Sequence, residues 1–467
     1  METSFIFCSI QGVQVKGVVC RLQPNHVAFE LCQPDLVLRS SEVIDEFKVH
    51  MADEVAYSGR AVVTNVINLG DLLLCEVKLD EPGIKTGQNA SAAAPGQCRA
   101  RYDRWFDGWQ ELERIPSDFK LAAVSLHGYL TELKLLSEQF ELAILAHPSQ
   151  DRSAAERAVL ESLSKPVVDT LDLMRERFLD AAAALPPELQ SASQVFVGRH
   201  LHPLFLCAPF GYRTYQKPLG YAGDYEMMNM IHRNTFEGGS LYAKMIHYWL
   251  VNQPPAKSVR VRVDYLKRRV ADEVIRVSVA RRPARILNLG CGPAREIQQF
   301  IREHPAADNA EISLLDFDAE TLQHVTGAVD RAKAESGRVT HVATRRISVA
   351  QLIKDSVQPG RNVLGGPYDL IYSGGLFDYL SPAVCKKVVS LFYTQLAPGG
   401  VVVVANMYDQ FRKFSEMLEY LLDWHLIYRS AREMREFTPP SAPLGGTVLS
   451  DDGINLFLEV RKPVEQK

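Results

Sequence analysis

The sequence predicts an α/β protein: a mostly parallel sheet in the C-terminal half, preceded by a helical region and a small N-terminal β-barrel. Three observations carry this expectation. Residues 285–294, Arg-Ile-Leu-Asn-Leu-Gly-Cys-Gly-Pro-Ala, read as a short buried strand running into a glycine turn that opens a helix. Residues 312–318, Ile-Ser-Leu-Leu-Asp-Phe-Asp, read as a second apolar strand closing on acidic residues. Residues 1–85 hold β-branched or alternating runs separated by turn residues, the pattern of short antiparallel strands.

The chain has 467 residues, enough for roughly two to four domains with large buried cores. Its 56 acidic and 52 basic residues nearly cancel, so no polyanion-binding surface is expected and nucleic acid is not expected as a partner. The cluster Lys267-Arg268-Arg269 reads as a solvated helix face. Eight cysteines at 8, 20, 32, 75, 98, 207, 291 and 385 contain no CxxC pair, which points to free thiols in a reducing cytoplasm and to no metal site. The start, Met1-Glu2-Thr3, carries no cationic segment, and no apolar run approaches about 18 residues. Neither a signal peptide nor a membrane span is expected.

Within 1–85 the strand candidates are Gln14–Cys20, Val27–Cys32, Gly59–Val66 and Leu72–Leu79. In order and spacing they resemble a PilZ domain, a family whose active members bind cyclic di-GMP through an arginine-rich entry segment and a D/N-x-S-x-x-G turn. The corresponding stretch, Asn25-His-Val-Ala-Phe-Glu30, keeps the first residue and lacks the serine and glycine, and Arg21 stands alone. The resemblance therefore implies a degenerate barrel, with a structural or docking role and no cyclic di-GMP; self-association or a protein partner could use these N-terminal regions. Residues 86–97 follow as a linker, flexible by composition. Residues 98–198 form the helical region. Leu126, Tyr129, Leu130, Leu133, Leu136, Phe140 and Ile144 keep helical spacing, with Ser117 as the expected cap. Leu160, Leu163, Val167, Leu171, Met174 and Phe178 repeat it, with a bend or break expected at Pro166 before the pair stops at Leu185-Pro-Pro.

Residues 199–250 have the most unusual composition in the chain, within an aromatic-rich cap segment expected over 199–275. His200, His202, Phe205, Phe210, Tyr212, Arg213, Tyr215, Lys217, Tyr221, Asp224, Tyr225, Glu226 and His232 crowd into 33 positions. Such a segment either closes over a ligand, offering flat apolar faces with polar tips, or serves as a connector whose aromatics pack on the next domain.

The glycine turn departs from a dinucleotide fingerprint, because Arg295 stands where a third small residue is wanted. Asp316 lies 26 positions after Gly290, at the edge where a carboxylate can accept both hydroxyls of a ribose. Tyr368–Tyr379 and Leu396–Val404 supply further strands, Glu416–Ile427 reads as a helix, and Asp452-Gly453 between two apolar alternations signals a hairpin. In this order the blocks resemble the class I S-adenosylmethionine-dependent methyltransferases, Rossmann-like folds with a mostly parallel seven-stranded sheet finished by an antiparallel hairpin. The resemblance assigns that domain to 276–467 and implies S-adenosyl-L-methionine as cofactor. It places Asn288, Gly290, Cys291 and Gly292 along the methionine and ribose part, Asp316 on the ribose hydroxyls and Phe317 over the adenine. Ser348 stands where relatives often put an aspartate against the adenine amino group, and Ser373 and Gly374 fall near the site of methyl delivery. Asp318 reads as a helix cap.

His202-Pro-Leu, Phe210-Gly-Tyr-Arg-Thr-Tyr and Lys217-Pro-Leu-Gly-Tyr-Ala-Gly-Asp-Tyr225, with the glycine turn, are similar to a bacterial group linked to biosynthesis of 3-hydroxypalmitic acid methyl ester, a quorum-sensing signal. That likeness covers roughly 200–465 and implies methylation of a fatty-acid-type carboxylate. Such an acceptor is already ionised at neutral pH and needs orientation, for which Tyr212, Arg213, Tyr215, Lys217 and Tyr379 are the candidates. A phenol or amine acceptor would instead want a base such as His202 or Asp224, with Tyr221 a further catalytic candidate. Two alternatives stay open: O- or N-methylation of another natural-product precursor, and a partner-binding regulator on an inactive methyltransferase fold.

Overall fold

The computed structural model describes residues 5–464 apart from 11–12, 32–37, 39–40, 52–53, 69–72, 81–82, 85–94, 357–363 and 444. The chain divides into two compact units. The first comprises Met1–Tyr215, Thr235–Leu250 and Tyr420–Leu422; the second comprises Gln216–Asn234, Val251–Glu419 and Asp423–Lys467.

The first unit opens with six strands, β1 (Phe5–Ile10), β2 (Val13–Leu22), β3 (His26–Leu31), β4 (Val43–Met51), β5 (Glu54–Asn68) and β6 (Leu73–Leu79). They close antiparallel into a barrel of order β1-β2-β3-β6-β5-β4, which leaves no sheet edge unpaired. The alternation seen in the sequence is the reason: Ile6, Cys8 and Ile10 of β1 and Val27, Phe29 and Leu31 of β3 all point inward. The helices follow as α1 (Pro95–Glu113), α2 (Ser117–Leu145), α3 (Arg152–Ala183), α4 (Gln190–Phe205) and α5 (Pro209–Gln216).

Three local expectations are corrected here. Residues 95–97 open α1 and are not linker, while 86–94 lie outside the described residues. Ser117 is not a cap, because the extended backbone of Pro116 already sets the entry to α2 and Ser117 is the first helical residue. Helix α3 runs unbroken through Pro166. The proline removes one backbone bond, and the buried stripe of Leu160, Val167, Leu171 and Phe178 holds both sides of it in one helix. Phe119, Phe178 and Tyr420 pack ring against ring at 5.2–5.9 Å.

Helices α6 (Tyr225–Arg233) and α8 (Pro254–Ser278) belong to the second unit and precede its sheet in sequence, while α7 (Leu241–Val251) belongs to the first unit up to Leu250. Strands β7 (Ala284–Leu289), β8 (Ala310–Asp316), β9 (His341–Arg346), β10 (Tyr368–Ser373), β11 (Leu396–Met407), β12 (Gly446–Leu449) and β13 (Asn455–Arg461) make one sheet of order β12-β13-β11-β10-β7-β8-β9. Strands β9, β8, β7, β10 and β11 are parallel, and β13 returns antiparallel against β11. The Asp452-Gly453 hairpin joins β12 to β13 as the sequence suggests. Strand β7 has β8 on one side and β10 on the other, so the winding direction reverses there and leaves a crevice at its carboxyl end.

Helices α9 (Arg295–Glu303), α10 (Ala319–Ser336), α11 (Val349–Ser356), α12 (Pro382–Thr394), α13 (Lys413–Leu422, of which 420–422 belong to the first unit) and α14 (Ala431–Arg435) complete the unit's connections. One core gathers Val270 and Val274 of α8, Ile297 and Phe300 of α9 and Val325 of α10 on one sheet face. Another gathers Val388 and Phe392 of α12 with Leu352 and Met434 on a second apolar cluster. Helix α13 ends at Leu422, short of the Ile427 expected, because Asp423 turns left-handed with φ 50°. Pro293 precedes α9 and is not in its first turn, because Ala294, with φ 47°, completes the glycine turn before the helix begins.

Candidate functional site

The crevice at the end of β7 is built from the glycine turn. Gly290 and Gly292 take φ of 68° and 50°, a region costly for other residues. Backbone N–H groups of Gly290 and Cys291 both donate to the Leu315 carbonyl, at 2.8 and 3.1 Å, clamping the turn to β8. The two glycines differ in purpose. A Cβ on Gly290 would press on Leu376 at 3.2 Å, whereas one on Gly292 would meet nothing within 4 Å, because Gly292 faces an open cavity.

At the end of β8, the Asp316 carboxylate accepts from the N–H of Gly292 and of Asp318, each at 3.1 Å. Burial nevertheless raises its pKa. A carboxylate has about four acceptor positions, so capacity remains for hydroxyls. Asp318 caps α10 by accepting from Thr321 N at 2.7 Å, as the sequence suggests. Beneath the turn, Glu296 Oε1 accepts from Asn288 Nδ2 at 3.0 Å and from the Tyr372 hydroxyl at 2.8 Å. Burial raises the Glu296 pKa as well, and Asn288 Oδ1 is buried without a partner.

The cavity measures about 320 Å³ and is lined wholly by the second unit. Asn288, Gly290, Cys291, Gly292, Asp316, Phe317 and Gly374 all line it. Tyr221 lines it too, its ring 5.0 Å from that of Phe317 and tilted by 57°. Desolvation raises the Tyr221 phenol above its usual pKa, which keeps it protonated. Tyr379 also lines the cavity and accepts from Trp424 Nε1 at 2.9 Å. Gly223, φ 83°, leaves room for that hydroxyl, since a Cβ there would come within 2.5 Å of it.

Other expected site residues do not line the cavity. The Ser373 hydroxyl donates to Leu289 O at 2.8 Å, and the Ser348 hydroxyl accepts from Gln351 N at 3.1 Å as a cap on α11. Asp224 is fully buried and caps α6, accepting from Glu226 and Met227 N–H at 3.0 and 2.9 Å. His202 belongs to the first unit, where Nε2 lies 3.2 Å from Tyr420 O and the ring packs on Tyr215 at 4.7 Å. Tyr212, Arg213 and Tyr215, on α5 in the same unit, are not among the lining residues. Lys217 is ion-paired with Asp423.

Sequence reasoning assigned no role to three cationic or ionisable lining residues, His232, Arg262 and Arg295. The His232 imidazole is pushed down to about 3 by burial and by the charges of Arg295, Arg260 and Arg262, so it is neutral at physiological pH. Asp378 also lines the cavity, buried, with its pKa raised to about 6 by desolvation against the opposing charge of Arg262. A signal for Arg262 was present: Pro255, Val259, Val263 and Leu266 form one apolar face of α8, and a lone arginine sits within it.

The strand order, the reversal at β7 and the antiparallel last strands define the second unit as a Rossmann-like fold of the class I methyltransferase type. No family model matches the chain, and no curated protein matches it. Among solved structures it is similar to a possible exported protein from Bordetella parapertussis, at 15% identity over 68% of this chain and 100% of that one, with a TM-score of 0.42. The N-methyltransferase NodS from Bradyrhizobium japonicum WM9, in complex with S-adenosyl-L-homocysteine, matches at 14% identity over 42% and 87% of the two chains, TM-score 0.29. Magnesium protoporphyrin IX methyltransferase from Synechocystis PCC 6803 with bound S-adenosylmethionine matches at 12% identity over 45% and 84%, TM-score 0.31.

Proposed function

We propose that the second unit is an S-adenosyl-L-methionine-dependent methyltransferase acting on a small molecule, with a fatty-acid-type carboxylate as acceptor and a methyl ester as product. The observation that supports this most is the glycine turn itself: Gly292 presents bare backbone to a cavity whose rim carries Asp316. The residues fit the donor's parts. Asp316 suits ribose hydroxyls, Phe317 and Tyr221 suit a flat adenine, and the unpartnered Asn288 Oδ1 suits an ammonium group. Bound there, the donor supplies a methyl group on a positively charged sulfur.

What the chain contributes is placement. In-line transfer needs donor and acceptor held close and aligned, with water kept out, and the Tyr221, Tyr379 and Trp424 rings wall the cavity for that purpose. A carboxylate acceptor asks for no base, which agrees with Asp224 being occupied as a cap and Tyr221 being held protonated. One observation favours a second reading, methylation of a phenol or amine: Asp378, shifted to about 6, could take a proton there.

The donor reading is tested by thermal unfolding with and without millimolar S-adenosylmethionine. Ligand at about a hundredfold its Kd adds about 2.7 kcal/mol, a rise of a few degrees. No rise would leave the partner-binding regulator as the better account. The barrel's part in this reading is docking or self-association; Asn25 packs so closely on Gly83 that a Cβ there would collide with its side chain. The seven described cysteines are free thiols, in keeping with a cytoplasmic protein, and no described helix is long and apolar enough to cross a membrane.

A further inference from the structure

We propose that Arg262 is the anchor for the acceptor's carboxylate, and that the apolar face of α8 around it receives the acceptor's hydrocarbon part. This rests on the methyl-donor reading above and assigns the side chains that would hold its carboxylate acceptor.

Arg262 is a nearly buried cation with weak partners. Its side chain is 12% exposed, and its nearest polar contacts are Asn455 Oδ1 at 3.5 Å and Asp378 Oδ2 at 3.7 Å. Both are long for a guanidinium, whose planar fork normally holds an oxyanion at about 2.7–2.9 Å. The neighbouring charges are better engaged. Arg260 donates to Ile231 O, Val251 O and Asn252 Oδ1 at 2.8–3.0 Å, and Asp378 Oδ1 accepts from Met407 N at 2.7 Å. A desolvated cation left without a fork partner is costly, so its retention in a cavity wall points to an anion that enters.

Its position is the second observation. The guanidinium lies against the end of β10, where a Cβ on Gly375 would be 3.1 Å from Nη2 and one on Gly374 would be 3.9 Å from Nε. Two successive glycines make room for the fork beside the glycine turn, with Gly290, Gly374 and Gly375 lining the same cavity. On α8, Val259, Val263 and Leu266 surround the arginine on one helical face, an apolar wall for a hydrocarbon chain. A cationic amine would be repelled by this arrangement, and a neutral alcohol would leave the fork unmatched. A carboxylate satisfies it and still keeps a lone pair for the reaction. One carboxylate oxygen then bonds to the methyl carbon as the carbon–sulfur bond breaks, its electron pair passing to sulfur; no proton moves.

The test uses the full chain with S-adenosylmethionine labelled in the methyl group, offering hexadecanoate and, separately, hexadecan-1-ol. Wild type should label hexadecanoate in a form released by mild base and leave the alcohol unlabelled. Arg262→Gln should lower kcat/KM for hexadecanoate by about a hundredfold, and Arg262→Lys by less, because a point charge replaces the fork. Calorimetric affinity for the donor should stay within about twofold in both variants. Donor affinity that falls as far as turnover would show that Arg262 reads the donor's own carboxylate. A wild-type protein that binds donor but labels only the alcohol, or neither compound, would overturn the acid-acceptor assignment while leaving the donor reading intact. Failure to bind donor at all would remove the reading beneath it.

Discussion

Asp316 and Asp318 stand two residues apart on one strand end, yet their surroundings assign them different tasks. Asp316 ties Gly292 N–H to the cavity rim, while Asp318 turns away to cap α10. Asp316→Ala should weaken S-adenosylmethionine binding by at least about tenfold, since charge-assisted hydrogen bonds are worth about 1.5–3 kcal/mol. Asp318→Ala should instead cost about 1 kcal/mol of stability, as cap losses do, with affinity nearly unchanged. Calorimetry and thermal melting on both variants separate the two; equal losses of affinity would refute the division. These carboxylates were legible in the sequence because strand, turn and cap are local patterns. Arg262 and His232 were not legible as site residues, since they reach the cavity from helices α8 and α6 ahead of the sheet, where no local strand-and-turn pattern marks them. Asp224 misled for a related reason: a carboxylate among aromatics looks catalytic, and only the backbone shows that two N–H groups occupy it.

At the scale of elements, the turn after β10 carries a testable electrostatic feature. Asp378 is buried, and its pKa rises from 3.8 to about 6 because the cost of desolvating the charge exceeds the attraction of Arg262. The folded state therefore holds a proton that the unfolded chain releases. The resulting stability is full below pH about 4 and is lost as pH rises through about 6, the reverse of a salt-bridged carboxylate. Relative to Asp378→Asn, the wild type should lose on the order of 3 kcal/mol between pH 4 and 7, measured by urea unfolding at fixed ionic strength. A wild-type-minus-variant difference independent of pH would show that the group titrates normally. Element periodicity was legible wherever packing was regular, as in α2, α3 and the β12–β13 hairpin. It failed where one residue's backbone decides the outcome, as at Asp423, which stops α13, and at Pro166, which does not stop α3.

At the scale of the whole molecule, the sequence suggests a methyltransferase body from residue 276 onward, yet the compact second unit also takes Gln216–Asn234 and α8. A fragment of 276–467 would lack Tyr221, Tyr225, His232 and Arg262 from the cavity wall, and would uncover the core surface that Leu266, Val270 and Val274 bury. Such a fragment should show no donor binding, and should bind a hydrophobic dye with weak near-ultraviolet dichroism. A cooperative, donor-binding fragment would mean the earlier residues are dispensable. The barrel of 5–79, closed on itself, should by contrast melt cooperatively alone.

The polypeptide changes unit after residues 215, 234, 250, 419 and 422. Synthesis on the ribosome runs from the N-terminus, so early-emerging domains normally fold first. Here Phe119 and Phe178 must wait for Tyr420 before their ring cluster is complete. Among the described residues the barrel has no such late partner, whereas the helical part of the first unit is completed only when Tyr420–Leu422 emerge near the end of synthesis.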